Sequence, residues 1–190
     1  MSNLIDLVTA RRSRSKVTDA SPSHDELLLL VAAAGHVADH SGLAPWRLVE
    51  LRGDARVDLG HALAAAAGDD KPSSKPLRAP LLIALVVVPQ QSAKVPVWEQ
   101  EATASGVAHM LSLLLTDAGW GVMWRTGSHV RSPEVHHMHR LEQHEYLLGW
   151  LYVGGTDGAH TTRPAAPVNA DHFLTSLTEE PDNTEGNERI

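Results

Sequence analysis

The 190-residue chain contains no cysteine, so neither disulfide bonds nor thiol chemistry contributes to its fold or activity. Thiolate metal ligands are excluded on the same ground, and the absence is compatible with a reducing cytoplasm. Phenyl rings are scarce too, with one phenylalanine and two tyrosines against five tryptophans. Apolar residues still make up 43% of the chain, which is enough for one domain with a sizeable core.

Long hydrophobic runs and excess positive charge are also absent. The longest apolar run, residues 81–88, is far too short to cross a bilayer. Asp6, Arg11 and Arg12 interrupt the N-terminal segment, which therefore lacks the pattern of a signal peptide. The formal net charge of −7 argues against nucleic-acid or anionic-membrane partners. We therefore expect a soluble cytoplasmic protein.

Common nucleotide-binding and hydrolase motifs are missing. There is no GxGxxG, no Walker A motif and no GxSxG. HExxH is absent as well, although histidines and glutamates crowd together between residues 134 and 145. We interpret this segment as a polar helix surface rather than a metal site, and predict no bound metal. Its members are Glu134, His136, His137, His139, Glu142, His144 and Glu145.

A cationic cluster, residues 11–16, is the most informative feature that is present. It contains four positive charges and two hydroxyls within an otherwise acidic protein. Such a cluster suits one defined anion, such as a phosphate held by charge-assisted hydrogen bonds. The alternative is that these arginines only favour the C-terminal end of a short helix through its dipole. Charge alone leaves both interpretations open.

Hydrophobic periodicity and cap residues predict alternating helices and strands. Ser23 and Ser132 have the positions of helix N-caps, and residues 81–88 have the pattern of a central strand buried on both faces. This order indicates a mixed α/β layer fold in a single domain. The predicted helices cover residues 3–12, 24–34, 54–67, 97–118, a segment from 133, and 171–177; the predicted strands cover 46–51, 81–88, 121–125 and 147–153.

Three short segments occur in a distinctive order. They are Arg11-Arg12-Ser13, then Asp39-His40 followed by Pro45-Trp46, and then Trp124-Arg125-Thr126-Gly127. Further pieces are Arg78-Ala79-Pro80-Leu81, Val95-Pro96 with Trp98-Glu99-Gln100-Glu101, and Gly149 before Leu151-Tyr152. In order and spacing, this set resembles the FMN-dependent nitroreductase family, and most of all its short, single-domain YdjA-like branch.

The resemblance implies an α+β sandwich with a mixed, mostly antiparallel sheet flanked by helices, built as an intertwined homodimer. Residues 1–177 would form one FMN-binding domain, and residues 178–190 an acidic, disordered tail. Two FMN molecules would lie at the dimer interface, and each would contact both chains.

The resemblance also implies the residues of the site. The arginine–serine segment would bind the phosphate and ribityl chain, the loop after the second helix would come from the other chain, and the segment from residue 124 would contact the flavin. Arg14 or Lys16 could supply a cation near the flavin ring, while Trp124 could equally be a core residue. The expected cofactor-binding residues are Arg11, Arg12, Ser13, His36, His40, Trp124, Arg125 and Thr126.

The implied activity is ping-pong hydride transfer from NAD(P)H through flavin N5 to a nitroaromatic, a quinone or another electron-poor acceptor. The chemistry would occur at FMN, so no catalytic side chain is required. Three alternatives remain open: a family member with another flavin reaction, a non-enzymatic flavin-binding or storage protein, and a histidine-rich metal-binding module.

Two positions depart from the family pattern. Ala44 precedes Pro45-Trp46 where the family usually has glutamine, and Ala38 precedes Asp39 where near relatives have proline. The loop of residues 68–80 is also shorter than in those relatives, and its small polar residues suggest a mobile element near the site. We expect these differences to affect FMN affinity or substrate choice.

Overall fold

A central four-stranded sheet organises the protein in the computed structural model, which describes residues 4–157 and 168–177. The strands are β1 (Trp46–Leu51), β2 (Leu81–Val87), β3 (Gly121–Arg125) and β4 (Tyr146–Gly154), in the spatial order β1-β2-β4-β3. Every pairing between them is antiparallel. The described residues thus form the antiparallel part of the expected sheet, and no parallel pair lies among them.

Among the described residues, five α-helices surround the sheet. Ser23 caps α2 by accepting a hydrogen bond from the Glu26 amide (3.2 Å), and Ser132 caps α5 by accepting one from the Val135 amide (3.4 Å). Both predicted helix starts are therefore confirmed. The helices are α1 (Leu4–Ala10), α2 (His24–Ala34), α3 (Asp54–Ala67), α4 (Val97–Asp117) and α5 (Pro133–Met138).

Side-chain alternation along β2 builds two hydrophobic layers, because successive residues of a strand point to opposite faces. All seven residues of β2 are buried, as the sequence predicts for a central strand. Leu81, Ile83 and Leu85 pack in one cluster with α2 and α4. The alternate residues of β2 pack in a second cluster with Leu59 of α3 and Val135 of α5. The result is the α+β sandwich that the resemblance implies.

The helix predicted at residues 171–177 is not formed. A single 3₁₀ turn, Ala170–His172, takes its place. Phe173, Leu174 and Leu177 are all exposed, so no apolar face of this segment is buried. Because short helices depend on tertiary packing for their stability, none is expected without it. The acidic tail predicted at residues 178–190 lies outside the described residues. Within the described ranges, no helix combines the length and apolar composition that a membrane crossing requires.

His139 departs from the predicted polar, histidine-rich helix surface. It is buried, and its two ring nitrogens have opposite roles. Nδ1 donates to the Val135 carbonyl (2.8 Å), and Nε2 accepts from Trp150 Nε1 (3.0 Å). Burial lowers the pKa of His139, and nearby Arg47 acts in the same direction. The neutral imidazole is therefore part of the core.

We predict that His139 makes folding stability sensitive to acid. Its folded-state pKa lies below the unfolded value of about 6.5, so the unfolded chain binds the proton more readily and stability falls as the pH drops below that value. His139→Leu should lose about 1–3 kcal/mol at pH 7.5, because the Trp150 N–H becomes unsatisfied. It should also show a shallower change in urea midpoint between pH 7.5 and pH 5.5. The exposed control His137→Leu should keep the wild-type slope; equal slopes in all three proteins would refute this role.

Candidate functional site

A cavity of about 490 Å³ opens beside the end of β3, on the sheet face that carries α3. Its volume lies in the usual range for a small-molecule or cofactor site. Residues from α3, from the 68–80 loop, from β3 and from β4 converge on it. They are Leu63, Ala67, Asp69, Ser73, Lys75, Arg78, Met123, Trp124, Arg125, Thr126, Gly127, Ser128, His129, Val130, Trp150 and Tyr152.

The wall of this cavity is positively charged. Lys75, Arg78 and Arg125 line it against a single carboxylate, Asp69. The guanidinium carbon of Arg125 lies 5.2 Å from the ring centre of Tyr152, a cation–π arrangement. Burial raises the pKa of Tyr152, and Arg125 and Arg78 only partly oppose this effect, so the phenol is neutral at pH 7. The cavity therefore favours a ligand that carries negative charge or several hydrogen-bond acceptors.

Arg125 has an unused hydrogen-bond donor at this wall. Its Nε is buried and has no hydrogen-bond partner within the described part of the chain. Buried donors are rarely left without a partner in folded proteins, since the loss of hydration is costly. An unpaired guanidinium nitrogen in a cationic cavity is therefore a feature that a bound ligand would explain.

A glycine at a β-bulge positions the end of β3. The pairing of β2 with β4 shifts register between Leu85 and Val86, opposite Gly149. Gly149 has a φ of 130°, and a Cβ at this position would overlap the Arg125 carbonyl oxygen and approach Trp124 Nε1 to 2.9 Å. Only glycine allows residues 124–126 to pack this closely on β4.

Trp124 is both a cavity wall and a core residue. It is half-buried, packs against the α4-side cluster, and its Nε1 donates to the Leu148 carbonyl (3.3 Å). The ring of His109, on α4, contacts it edge-on at a centroid distance of 5.1 Å. Trp124 therefore lines the cavity and also belongs to the core, so the two interpretations of this residue are compatible.

The arginine–serine segment lies beside β3 but does not line the cavity. The Arg14 amide donates to the Val122 carbonyl (2.8 Å), which places the preceding residues along the outer edge of the sheet. Arg12 Nη1 donates to the carbonyls of Thr9 and Arg11 (2.6 Å each), so Arg12 provides hydrogen bonds for backbone carbonyls at the end of α1. The half-buried Arg11 makes no side-chain hydrogen bond or ion pair with any described residue. The alternative that these arginines only stabilise the C-terminal end of a short helix therefore applies to Arg12 and not to Arg11.

The second histidine-bearing group, His36 and His40, lies on the loop between α2 and β1. Both side chains are exposed. The loop packs on the first turns of α4, where Thr103 Oγ1 donates to the Ala38 carbonyl (3.3 Å). Asp39 does not pair with the neighbouring His40, because its carboxylate accepts from the Leu43 and Ala44 amides at 3.2 and 2.7 Å.

The structure therefore separates the expected site residues into two groups. His40 contacts Glu99, whereas Trp124 contacts His109, which is ten positions further along α4. At 1.5 Å per residue, this separation is about 15 Å along the helix axis. One group consists of Arg11, Arg12, Ser13, Trp124, Arg125 and Thr126, and the other of His36 and His40.

The sequence prediction missed the cations Lys75 and Arg78. A signal was present, since the 68–80 loop was expected to lie near the site and residues 78–81 belong to the family-like pattern. Arg14 and Lys16, the cations considered for the flavin ring, are not among the residues that line the cavity. Within residues 4–157 and 168–177, no group of three or more His, Cys, Asp or Glu side chains is arranged to bind a metal ion.

Comparisons with known proteins agree with the fold described above. The model of the Nitroreductase family matches residues 8–155. YdjA of Escherichia coli, whose name describes an NAD(P)H nitroreductase, is 30% identical over 158 residues, covering 79% of this chain and 86% of YdjA. A nitroreductase-like family protein from Bacillus cereus superposes with a TM-score of 0.78 at 19% identity, covering 94% of this chain and 98% of that one. The FMN and NADPH-dependent nitroreductase NfnB of a Sphigopyxis species gives 0.73 at 16% identity, with 93% and 99% covered.

We predict that Gly149→Ala disrupts the end of β3. A methyl group would collide with the Arg125 carbonyl and force an unfavourable φ, at a cost of about 2–4 kcal/mol in unfolding free energy. Urea denaturation measures this loss. Gly127→Ala is the matched control, because its Cβ would enter open space just beyond the end of β3 and should leave the urea midpoint nearly unchanged. Equal midpoints for the two variants would contradict the role of Gly149.

Proposed function

The chain belongs to the nitroreductase family, and from that premise we propose that it is an FMN-dependent oxidoreductase. It takes electrons from NAD(P)H and passes them to a nitroaromatic, a quinone or a similar electron-poor acceptor. The observation that carries the proposal is the cationic cavity at the end of β3, where Arg125 Nε is buried without a partner.

The residues that line the cavity suit FMN. Lys75, Arg78 and Arg125 supply positive charge for a ring system that becomes anionic when reduced. Thr126 and Ser128 add neutral hydroxyl groups, and the half-buried Trp124 adds an aromatic wall. When bound, FMN supplies the hydride and electron transfer, so these side chains bind and orient and need not react.

Arg11 is the phosphate ligand in this proposal. FMN ends in a phosphate that carries nearly two negative charges at neutral pH, and a guanidinium can bind its oxygens bidentately. Arg11 is half-buried, and its guanidinium has no partner among the described residues. Ser13 adds a neutral donor next to it. Arg12 remains at the end of α1, where it supports the segment that presents Arg11.

A second copy of the chain supplies His36 and His40. In a single chain these residues lie on the loop beside the first turns of α4, about 15 Å along the helix axis from the residue that contacts Trp124. We therefore assign their contact with the FMN of this cavity to a partner chain. The helical layer formed by α1, α2 and α4 exposes apolar side chains that a partner would cover, a pattern typical of interfaces. They are Leu4, Ile5, Val8, Leu28, Leu29, Val97, Trp98 and Met110.

Ala44, which stands where the family usually has glutamine, reduces the hydrogen bonds that this loop can make. Ala44 uses its amide to bind Asp39 and its carbonyl to accept from the Trp46 amide (2.7 Å). Its methyl side chain provides no hydrogen bond to a cofactor or acceptor, unlike the glutamine usual in the family. We propose that His40 makes the polar contact from this loop.

An FMN titration with a turnover assay tests the proposed function. The wild-type protein should bind FMN and should oxidise NADH or NADPH when menadione or a nitroaromatic is added. A protein that binds FMN without turnover would be a storage or sensing protein. A protein that neither carries FMN nor takes it up would refute the proposal.

We predict that Arg11→Ala raises the FMN dissociation constant about 10- to 100-fold, the usual effect of losing one or two charge-assisted hydrogen bonds. Fluorescence quenching of FMN measures the constant. Arg140→Ala is the control, because Arg140 is exposed beyond α5 and its substitution removes the same charge. Equal constants for the two variants would show that Arg11 does not bind the phosphate.

A further inference from the structure

His40 forms an ordered pair with Glu99, and we infer that Glu99 is a positioning residue that sets the tautomer of His40. His40 thereby presents a hydrogen-bond acceptor to the N–H or hydroxyl groups of FMN rather than a donor to its phosphate. This inference rests on the proposed function, because it specifies how the partner-facing loop recognises the cofactor.

The contact itself defines the tautomer. His40 Nδ1 lies 2.8 Å from Glu99 Oε2, in the first turn of α4. An ionised carboxylate only accepts hydrogen bonds, so the proton of the neutral imidazole is on Nδ1. Nε2 then has a free lone pair and acts as an acceptor. Carboxylates fix the orientation and tautomer of functional histidines in the same way at metal sites.

Asp39 cannot replace Glu99 in this role. Its two carboxylate oxygens accept from the amides of Leu43 and Ala44, which leaves Glu99 as the acid bonded to His40 in the described chain. The same capping shapes the loop: Ser41 and Ala44 have φ values of 67° and 45°, a region that side chains other than glycine rarely occupy. Such strain is maintained only where surrounding contacts specify the conformation.

The surroundings of His40 leave its outer nitrogen accessible. A groove of about 400 Å³ runs between the loop and α4, and His40, Trp98 and Thr103 are among its lining residues. The His40 side chain is 54% exposed although it is bonded to Glu99. A ligand or a partner chain could therefore reach Nε2 without disrupting the pair.

The chemistry of FMN divides the recognition between two kinds of residue. Its phosphate and ring carbonyls accept hydrogen bonds, and they suit Arg11 and the cavity cations. Its ring N–H and its ribityl hydroxyls donate, and they suit the Nε2 lone pair of His40. Loss of Glu99 would release the His40 ring and allow the other tautomer, in which Nε2 carries the proton.

A double-mutant cycle tests the inference through FMN affinity. Glu99→Ala should raise the dissociation constant about five- to tenfold, as expected for one neutral hydrogen bond. In a His40→Ala background, Glu99→Ala should cause no further change, because Glu99 acts through His40. Glu101→Ala is the matched control; it removes a carboxylate two positions along α4, where the side chain contacts Arg131 instead. An unchanged constant in Glu99→Ala, or an equal further loss in the His40→Ala background, would overturn the inference.

Nitrogen-15 NMR of the histidine rings provides a readout that does not depend on FMN. In its neutral form the wild-type His40 should show the tautomer protonated on Nδ1, and Glu99→Ala should shift it toward the form protonated on Nε2. A wild-type ring protonated on Nε2 would overturn the inference. Failure of the wild-type protein to bind FMN would instead refute the proposed function and leave the NMR test of the tautomer intact.

Discussion

The length of α4 is the constraint on which the proposed site depends. One end of this rigid helix contacts His40 through Glu99, and its middle contacts Trp124 through His109, about 15 Å further along. Both contacts are fixed, because α4 packs along the sheet with Val107 and Leu111 in the core. A single chain therefore presents the loop histidines and the cationic cavity at two separate places. In the two-fold dimer that we propose, the loop of each chain lies at the cavity of the other, which gives two identical sites.

The sheet fixes the position of one wall of the cavity. β4 is buried along most of its length, and its bulge at Gly149 brings the backbone of Arg125 close enough to define the direction of residues 124–126. The groups that we propose to face the cofactor thus extend from the end of a strand rather than from a free loop, which favours a preorganised site. On the other side of the cavity, the 68–80 loop contributes Lys75 and Arg78, whose long side chains can adapt to a ligand. A rigid wall and an adaptable wall together suit an enzyme that accommodates different acceptors in turn.

Much of the fold could be predicted from the sequence, because its local signals agree with its packing. The bounds of β1, α3 and β3 match the predicted residues, because β1 alternates apolar and polar residues, α3 is rich in alanine, and Gly119 separates β3 from the helix before it. The helix predicted for residues 171–177 does not form, because its apolar residues pack on no surface of the described chain. The burial of His139 was not predicted, because its polar neighbours in sequence do not reveal that Trp150 donates a hydrogen bond to its ring. For the candidate site, motif order led to the predictions at the strand end and at the loop, whereas Lys75 and Arg78 line the cavity only because of tertiary folding. The bond between His40 and Glu99 joins residues 59 positions apart, and no local pattern predicts it.

Mixed dimers test most directly the proposal that two chains share each site. Chains carrying Arg11→Ala and chains carrying His40→Ala can be labelled with different tags, combined, and purified as hybrids for FMN titration. If each site takes Arg11 from one chain and His40 from the other, every hybrid retains one site with both residues intact. We expect each parent variant to bind FMN weakly, whereas the hybrid should recover one site per dimer with wild-type affinity. A hybrid with no wild-type site would contradict it, because that result requires Arg11 and His40 to serve the same site within one chain.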